Sequence, residues 1–168
     1  VKSCELWIRE KLDGTSLEDV IPSVHMFVTS EDINNLAYKS MLADAVNEVF
    51  APAVYTITER LKELTVKYAS DSVMGRTHVQ PASPTTFGKI FGGYLSRMTD
   101  GLVNLKTVVL KGKVNGAVGN YNAFVAAYPT LDWESYSKVL THRMGFAVDL
   151  WTDQRGPHTD MTRAMQSI

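Results

Sequence analysis

His78 lies in the stretch RTHVQPASP (residues 76–84), which also contains Thr77 and Gln80. Histidine is the side chain whose unperturbed pKa allows it to give or take a proton near neutral pH. The two prolines restrict the backbone on the C-terminal side of His78, and Thr77 and Gln80 can hydrogen-bond the ring. This combination predicts a general acid or base. The alternative is a solvated or capping histidine, which is the more frequent role of a lone histidine in a turn.

A second polar stretch, FVTSEDINN (residues 27–35), places Thr29 and Ser30 where a helix is predicted to begin. The free N–H groups of a helix N-terminus and two hydroxyls suit an anion such as a carboxylate or a phosphate. Simple capping of the helix explains the same residues. Both interpretations are open at this point.

The third stretch, GKVNGAVGNYN (residues 112–122), combines three glycines with Lys113 and Asn115. Glycine allows a backbone to approach a ligand closely, and the lysine and asparagine side chains offer polar contacts. The spacing matches neither the phosphate loop nor the dinucleotide-binding fingerprint. A flexible turn between helices has the same composition.

A fourth stretch, WTDQRGPHTD (residues 151–160), contains Gln154, His158 and Asp160. His158 and Asp160 are possible metal ligands, but two ligands without a third do not make a site. We therefore predict no metal.

Two long helical patterns must position these loops. Residues 34–70 contain no glycine, and their apolar residues recur at heptad-like spacing, with Pro52 predicting a kink. The second pattern runs from Pro84 to about Lys111, with Ser83 as its predicted cap. Shorter helices are predicted at residues 17–27, 121–127 and 133–144, and strand patterns are weak. The fold class is therefore all-α, with long antiparallel helices.

The composition is that of a globular protein: 45% of the 168 residues are hydrophobic and 21% are charged. A net charge of -1 provides no field that would recruit nucleic acid or an anionic membrane. No apolar run approaches the length of a membrane span. The single cysteine, Cys4, excludes an internal disulfide and is typical of a reducing compartment.

Three blocks together resemble the adenylosuccinate lyases of the fumarase/aspartase superfamily, and most closely the bacterial-type branch. They are TSEDINNL (residues 29–36), RTHVQPASPTTFGK (76–89) and GKVNGAVGNYNAFVAAYP (112–129), and they occur in the order of the family. The resemblance extends from Val1 to about Asp160. It implies a superfamily-type helical bundle that assembles with other subunits.

The resemblance also implies an activity, the β-elimination of fumarate from adenylosuccinate or from the succinyl-carboxamide ribotide, in the purine nucleotide and AMP pathways. His78 matches the general-acid histidine of the family. Thr29, Ser30 and Gln154 match its substrate-binding residues, and Thr77, Lys113 and Asn115 are further candidates for the substrate site. No cofactor is implied.

The chain departs from the family pattern at a few positions. Val79 stands where glycine is common, and Arg155 and Gly156 follow Gln154. The family's S-S-x-M-P-x-K-x-N loop, which carries the serine base, and its T-N-H-D block are absent from the sequence. We therefore expect residues 1–168 to be the central helical domain of a longer, cytoplasmic, homotetrameric lyase with shared active sites, and to be inactive alone.

Two alternatives are open from the sequence. One is a sister lyase of the argininosuccinate or aspartate type, which would keep the elimination but change the substrate. The other is a non-catalytic helical scaffold, in which the polar loops serve only as caps and turns.

Overall fold

The computed structural model describes all residues from Val1 to Ile168, and its contacts divide the chain into two units. The first unit comprises Val1–Leu42 and Val109–Thr162, and the second comprises Ala43–Val108 and Arg163–Ile168. None of the helices combines the length and the apolar character that crossing a membrane requires.

Helices and loops build the first unit around a small core. The core consists of Leu36, Val114 and Phe146, with Val28 and Leu110 packed against it. A short parallel pairing joins Lys111–Gly112 to Ala147–Val148 beside this core. The elements are α1 (Lys2–Leu12), a 3-10 helix (Glu18–Ser23), the start of α2 (Ser30–Asp44), β3 (Lys111–Gly112), α5 (Asn122–Ala127), α6 (Trp133–Arg143), β4 (Ala147–Val148) and the start of α7 (Thr159–Gln166).

An aromatic cluster forms a second packing centre in this unit. Phe27, Phe124, Tyr128 and Trp133 lie with ring centroids 5.2–6.4 Å apart, mostly tilted or edge-on. Such geometry is favoured because the positive edge of one ring meets the negative face of another. The cluster joins Phe27, two residues before the TSED block, to α5 and α6.

Two antiparallel helices joined by a β-hairpin dominate the second unit. They are α3 (Ala51–Lys67) and α4 (Phe87–Lys106), and the hairpin consists of β1 (Ser72–Thr77) and β2 (Gln80–Thr86). The predicted seams are the apolar residues spaced alternately by four and three, and they are confirmed along most of their length. Ten of these residues are at least half-buried, namely Phe50, Val54, Leu61, Leu64, Tyr68, Phe91, Leu95, Met98, Leu102 and Leu105. The exceptions are Ile57 and Val109, whose side chains are exposed.

The predicted disturbance near Pro52 takes the form of a π-helical turn, Ala45–Phe50, between α2 and α3. Pro52 is the second residue of α3. Because proline has no N–H to donate, the preceding turn loses a regular hydrogen bond and widens. The long helical run otherwise extends from Ser30 to Lys67, close to the predicted bounds.

The prediction that a helix begins at Pro84 is wrong. Ser83 and Pro84 belong to β2, and α4 begins at Phe87, where the Thr86 hydroxyl accepts the Lys89 N–H at 3.1 Å. The helix also ends at Lys106 rather than near Lys111. Pro81 and Pro84 disfavour a helical conformation in this segment, and pairing with β1 holds it in an extended conformation instead.

The prediction of weak strand content missed this hairpin, and the smaller helices differ slightly from expectation. The segment predicted as a helix at residues 17–27 contains only a short 3-10 helix, Glu18–Ser23, interrupted by Pro22. The two predicted C-terminal helices are present as α5 and α6, each about one residue shorter.

Candidate active site

The N-terminus of α2 carries the Thr29–Ser30 pair. Ser30 is exposed and begins the helix, whereas Thr29 is half-buried. The Thr29 N–H donates to Asp32 Oδ2 at 2.8 Å, and the Asp32 N–H donates to the Thr29 carbonyl at 3.0 Å. The carboxylate accepts the Thr29 N–H as the acidic side chain of a capping box does, whereas the Asp32 N–H donates to the Thr29 carbonyl rather than to its hydroxyl. Asp32 therefore holds the backbone at Thr29.

The Asp32 carboxylate also joins this helix end to the loop that follows β3. It is completely buried, and its oxygens accept the Asn115 N–H at 3.2 Å and the Gly116 N–H at 3.1 Å. The Lys113 ammonium lies 2.8 Å from Asp32 Oδ1. A buried carboxylate requires such partners, because an unpaired charge away from water is strongly unfavourable.

Lys113 extends the network to the fourth polar stretch. Its side chain is 2% exposed, and Nζ donates to the Gly116 carbonyl at 2.7 Å and to the Gln154 carbonyl at 2.9 Å. With the Asp32 carboxylate, these acceptors use all three protons of the ammonium group. Lys113 therefore binds the Gln154 backbone to the same centre that holds Thr29.

Two buried asparagines complete the network. Asn35 donates to the Lys113 carbonyl and accepts the Lys113 N–H, both at 3.0 Å. Asn115 Nδ2 donates to the Thr152 hydroxyl at 2.8 Å. The Lys113 and Asn115 side chains are thus enclosed by the protein's own groups. These contacts fix the loops to which Lys113 and Asn115 belong.

Gln154 is exposed, and its chain neighbours Asp153 and Arg155, but not Gln154 itself, line a cavity of about 500 Å³. A Cβ on Gly119, which has a φ of +77°, would lie 1.8 Å from the Thr152 carbonyl oxygen. Only glycine fits here, and the close approach is to the protein's own backbone rather than to a ligand. The cavity is lined by Gly119, Asn120, Leu150, Trp151, Thr152, Asp153, Arg155, Gly156 and Pro157.

A second buried ion pair lies in the same unit. Lys39 Nζ is 3.0 Å from Asp160 Oδ2 and donates to the Lys111 carbonyl, while the Lys111 N–H donates to Asp160 at 2.7 Å. Burial alone would raise the pKa of the Asp160 carboxyl, but the hydrogen bonds from Lys111, Lys39 and Met161 outweigh it and lower the pKa. Asp160 is therefore held by this pair, and no group of three or more His, Cys, Asp or Glu side chains is placed to hold a metal ion.

His78 occupies the tip of the β1–β2 hairpin in the second unit. His78 and Val79 are the two loop residues, with φ values of +47° and +67°, as a tight primed turn requires. Both side chains are exposed, and Arg76 Nη1 donates to the Val79 carbonyl at 3.1 Å. The turn presents the imidazole to solvent, next to Thr77 at the end of β1.

The structure gathers five of the predicted site residues around one buried centre in the first unit, namely Thr29, Ser30, Lys113, Asn115 and Gln154. His78 and Thr77 lie in the second unit. Sequence reasoning missed Asp32 and Asn35 as members of this centre. Asp32, Asn35 and Lys39 are spaced by three and four residues and share a helix face with Leu36, so a polar stripe on a buried face was the available indication.

Comparison with known proteins places this architecture among enzymes. The chain matches the protein family described as lyase over residues 6–168. It is 40% identical to the adenylosuccinate lyase of Escherichia coli over 159 residues, which cover 94% of this chain and 35% of that protein. It is 36% identical to the adenylosuccinate lyase of Legionella pneumophila (strain Corby) over 167 residues, which cover 99% of this chain and 37% of that protein. The chain thus spans little more than a third of the length of these curated relatives.

Solved structures of more distant proteins share the fold. The β-carboxy-cis,cis-muconate cycloisomerase of Acinetobacter calcoaceticus superimposes with a TM-score of 0.77 over 99% of this chain and 36% of that chain, at 22% identity. The 3-carboxy-cis,cis-muconate lactonizing enzyme of Pseudomonas putida gives a TM-score of 0.71 over 88% of this chain and 32% of that chain, at 21% identity. These likenesses support the predicted helical fold class, and the family match covers nearly every residue. The chain belongs to the lyase family of the fumarase/aspartase superfamily.

Proposed function

We propose that the protein containing this chain is an adenylosuccinate lyase, which eliminates fumarate from adenylosuccinate and from the succinyl-carboxamide ribotide in purine and AMP biosynthesis. The observation that carries the proposal is the 40% identity to the Escherichia coli enzyme across 94% of the chain. Residues 1–168 would then form the central helical domain of a longer enzyme. A cytoplasmic location fits the exposed thiol of Cys4, which suits a reducing compartment.

The chemistry assigns a clear task to His78. A base removes the proton from the carbon next to a carboxylate, the electron pair of that C–H bond forms the double bond of fumarate, and the C–N bond breaks. The departing nitrogen is a poor leaving group unless it is protonated, and His78 donates that proton. Its position at an exposed hairpin tip leaves the ring accessible to a bound substrate.

The first unit would contribute binding groups. Thr29 and Ser30 present hydroxyls at a helix N-terminus, where a carboxylate or phosphate of the substrate is favoured. The Gln154 carboxamide is exposed and can donate to or accept from the substrate. Thr77 adjoins His78 and is a further candidate contact. In this proposal the base comes from a part of the enzyme outside these residues, so the chain alone would not turn over.

Exposed apolar side chains on α3 and α4 support assembly with further subunits. Ile57 and Val66 on α3, and Tyr94 and Val103 on α4, are between 49% and 73% exposed. Exposed apolar side chains along two helices are normally covered by further helices. We propose a homotetramer with shared active sites, and light scattering of the full-length protein tests it. A monomer at micromolar concentration would contradict it.

The decisive experiment measures fumarate release from adenylosuccinate by the full-length protein and by its His78→Gln variant. Loss of a general acid lowers kcat by about 100-fold or more. His142→Gln is the matched control, because His142 is an exposed histidine of α6 that the proposal does not use. An unchanged kcat in His78→Gln would contradict the role of His78 as general acid. A wild-type protein that cleaves argininosuccinate or aspartate instead, or that releases no fumarate, would overturn the assignment.

A further inference from the structure

The buried pair of Asp32 and Lys113 is the point at which three separate polar stretches meet. We propose that these two side chains are positioning residues: together they fix the backbones that carry the Thr29–Ser30 pair and Gln154, and so set where those groups meet the substrate. The inference rests on the proposed function, because it concerns how the same substrate is held.

The first step of the argument is the geometry of the Asp32 carboxylate. Both oxygens are used: Oδ2 accepts the N–H groups of Thr29 and Gly116, and Oδ1 accepts that of Asn115 and faces Lys113. One carboxylate therefore joins the first turn of α2 to a loop more than 80 residues further along the chain. If that carboxylate moves, the Thr29 backbone loses its anchor.

The second step is the reach of Lys113. Its ammonium donates to the Gln154 carbonyl at 2.9 Å and to the Gly116 carbonyl at 2.7 Å while it faces Asp32. The bond to Gln154 holds its backbone, whereas the Gln154 side chain remains exposed. Lys113 thus acts on the glutamine that is proposed to contact substrate without contacting substrate itself.

The third step concerns why an ion pair occupies this position. Apolar side chains of the same volume often stabilise a fold as well as a buried ion pair does, because desolvation offsets the attraction between the charges. Apolar groups cannot, however, direct hydrogen bonds to chosen backbone atoms. The five backbone groups that Asp32 and Lys113 bind belong to the loops around the substrate residues, which favours a positional role over a purely stabilising one.

The Lys39–Asp160 pair provides an internal control. It has the same chemistry, lies in the same unit and is nearly as buried, at 3% and 9% exposure of the two side chains. Its backbone partners are Lys111 and Met161, which the proposed function does not use. If the Asp32–Lys113 pair were purely structural, its removal should affect KM in the same way as removal of the Lys39–Asp160 pair.

The test compares two double variants of the full-length enzyme, Asp32→Asn/Lys113→Met and Lys39→Met/Asp160→Asn. Each removes both charges, so neither leaves a buried charge unpaired. For both variants we would measure kcat and KM for adenylosuccinate and the urea midpoint of unfolding. We expect the Asp32/Lys113 variant to raise KM by about 10-fold or more with a smaller change in kcat, because loss of positioning weakens ground-state and transition-state binding together. We expect the Lys39/Asp160 variant to keep KM within about 2-fold.

The outcomes are distinguishable. A folded Asp32/Lys113 variant with an unchanged KM would overturn the inference, as would an equal rise of KM in the control. If the double variant does not fold, Asp32→Glu replaces it, since it keeps the charge but displaces the carboxylate by one methylene group. An unchanged KM in Asp32→Glu would likewise overturn the inference. If the wild-type enzyme has no activity on adenylosuccinate, the proposed function itself is wrong, which is a different outcome from the two above.

Discussion

Gly88 and Gly93 lie on the same helix, α4, but a methyl group added to each would meet different surroundings. A Cβ on Gly88 would lie 2.6 Å from the Thr65 carbonyl oxygen and 2.7 Å from the Ala69 Cα atom. These are backbone atoms of α3 and of the residues just after it, so they cannot rotate away as the end of a side chain can. A Cβ on Gly93 would have no heavy atom within 4 Å.

The two alanine variants should therefore change stability in opposite directions. Overpacking at Gly88→Ala forces α3 and α4 apart and costs about 1–3 kcal/mol, or more where the neighbour is backbone. Gly93→Ala gains about 0.8–1 kcal/mol from helix propensity. The difference between the variants is thus at least about 2 kcal/mol, which corresponds to about 4–8 °C in Tm for a domain of this size.

Urea unfolding followed by far-ultraviolet circular dichroism measures this difference directly. The two variants should be compared at one protein concentration, because the stability of an oligomer depends on it. Gly93→Ala serves as the matched control, with the same substitution five residues along the same helix. If Gly88→Ala unfolds at the same urea concentration as Gly93→Ala, or at a higher one, the close approach of α3 to α4 at Gly88 is refuted.

Two further predictions concern Val79 and Asp160. Val79→Gly should raise the free energy of unfolding by up to about 1.6 kcal/mol, because a left-handed φ costs an L-residue about 1–2 kcal/mol and the greater flexibility of glycine in the unfolded chain offsets about 0.4–1 kcal/mol of that gain. Thermal unfolding measures this change, and a lower Tm would contradict it. Asp160 has a lowered pKa in the folded protein, so its contribution to stability is present above the unfolded pKa and is lost as the pH falls through the folded pKa. Asp160→Asn should therefore destabilise the protein at pH 7 and make its free energy of unfolding fall less steeply as the pH is lowered. The measurement is the free energy of unfolding as a function of pH for the wild type and the variant. Parallel curves would show that Lys39 and Lys111 do not hold the carboxylate.

The long helices were predictable because their pattern is local. Apolar residues at alternating spacings of three and four define one face of a helix, and that face is at least half-buried along most of α3 and α4. Pro52 likewise predicts a local break from its missing N–H, and a π-helical turn ends two residues before it. Neither inference needs information from another part of the chain.

The hairpin that carries His78 was not predictable in the same way. Its strands contain two prolines and several small polar residues, which have low strand propensity, and Val79 is an unfavourable residue for a left-handed turn. Pairing between β1 and β2 overrides those local preferences. For the same reason Thr86 caps α4, in place of the predicted Ser83.

By itself, the sequence determined the helical class, the polar stretches and the resemblance on which His78, Thr29, Ser30 and Gln154 were selected. Only the tertiary structure decided that Asp32 and Lys113 lie at the centre of the first unit with their charges paired. Helical periodicity reports which face of a segment is buried, because that depends on neighbours three and four residues away. It does not indicate which polar groups will become partners. Asp32 and Asn115 are 83 residues apart, and they interact only when the folded chain brings their segments together and excludes water from both.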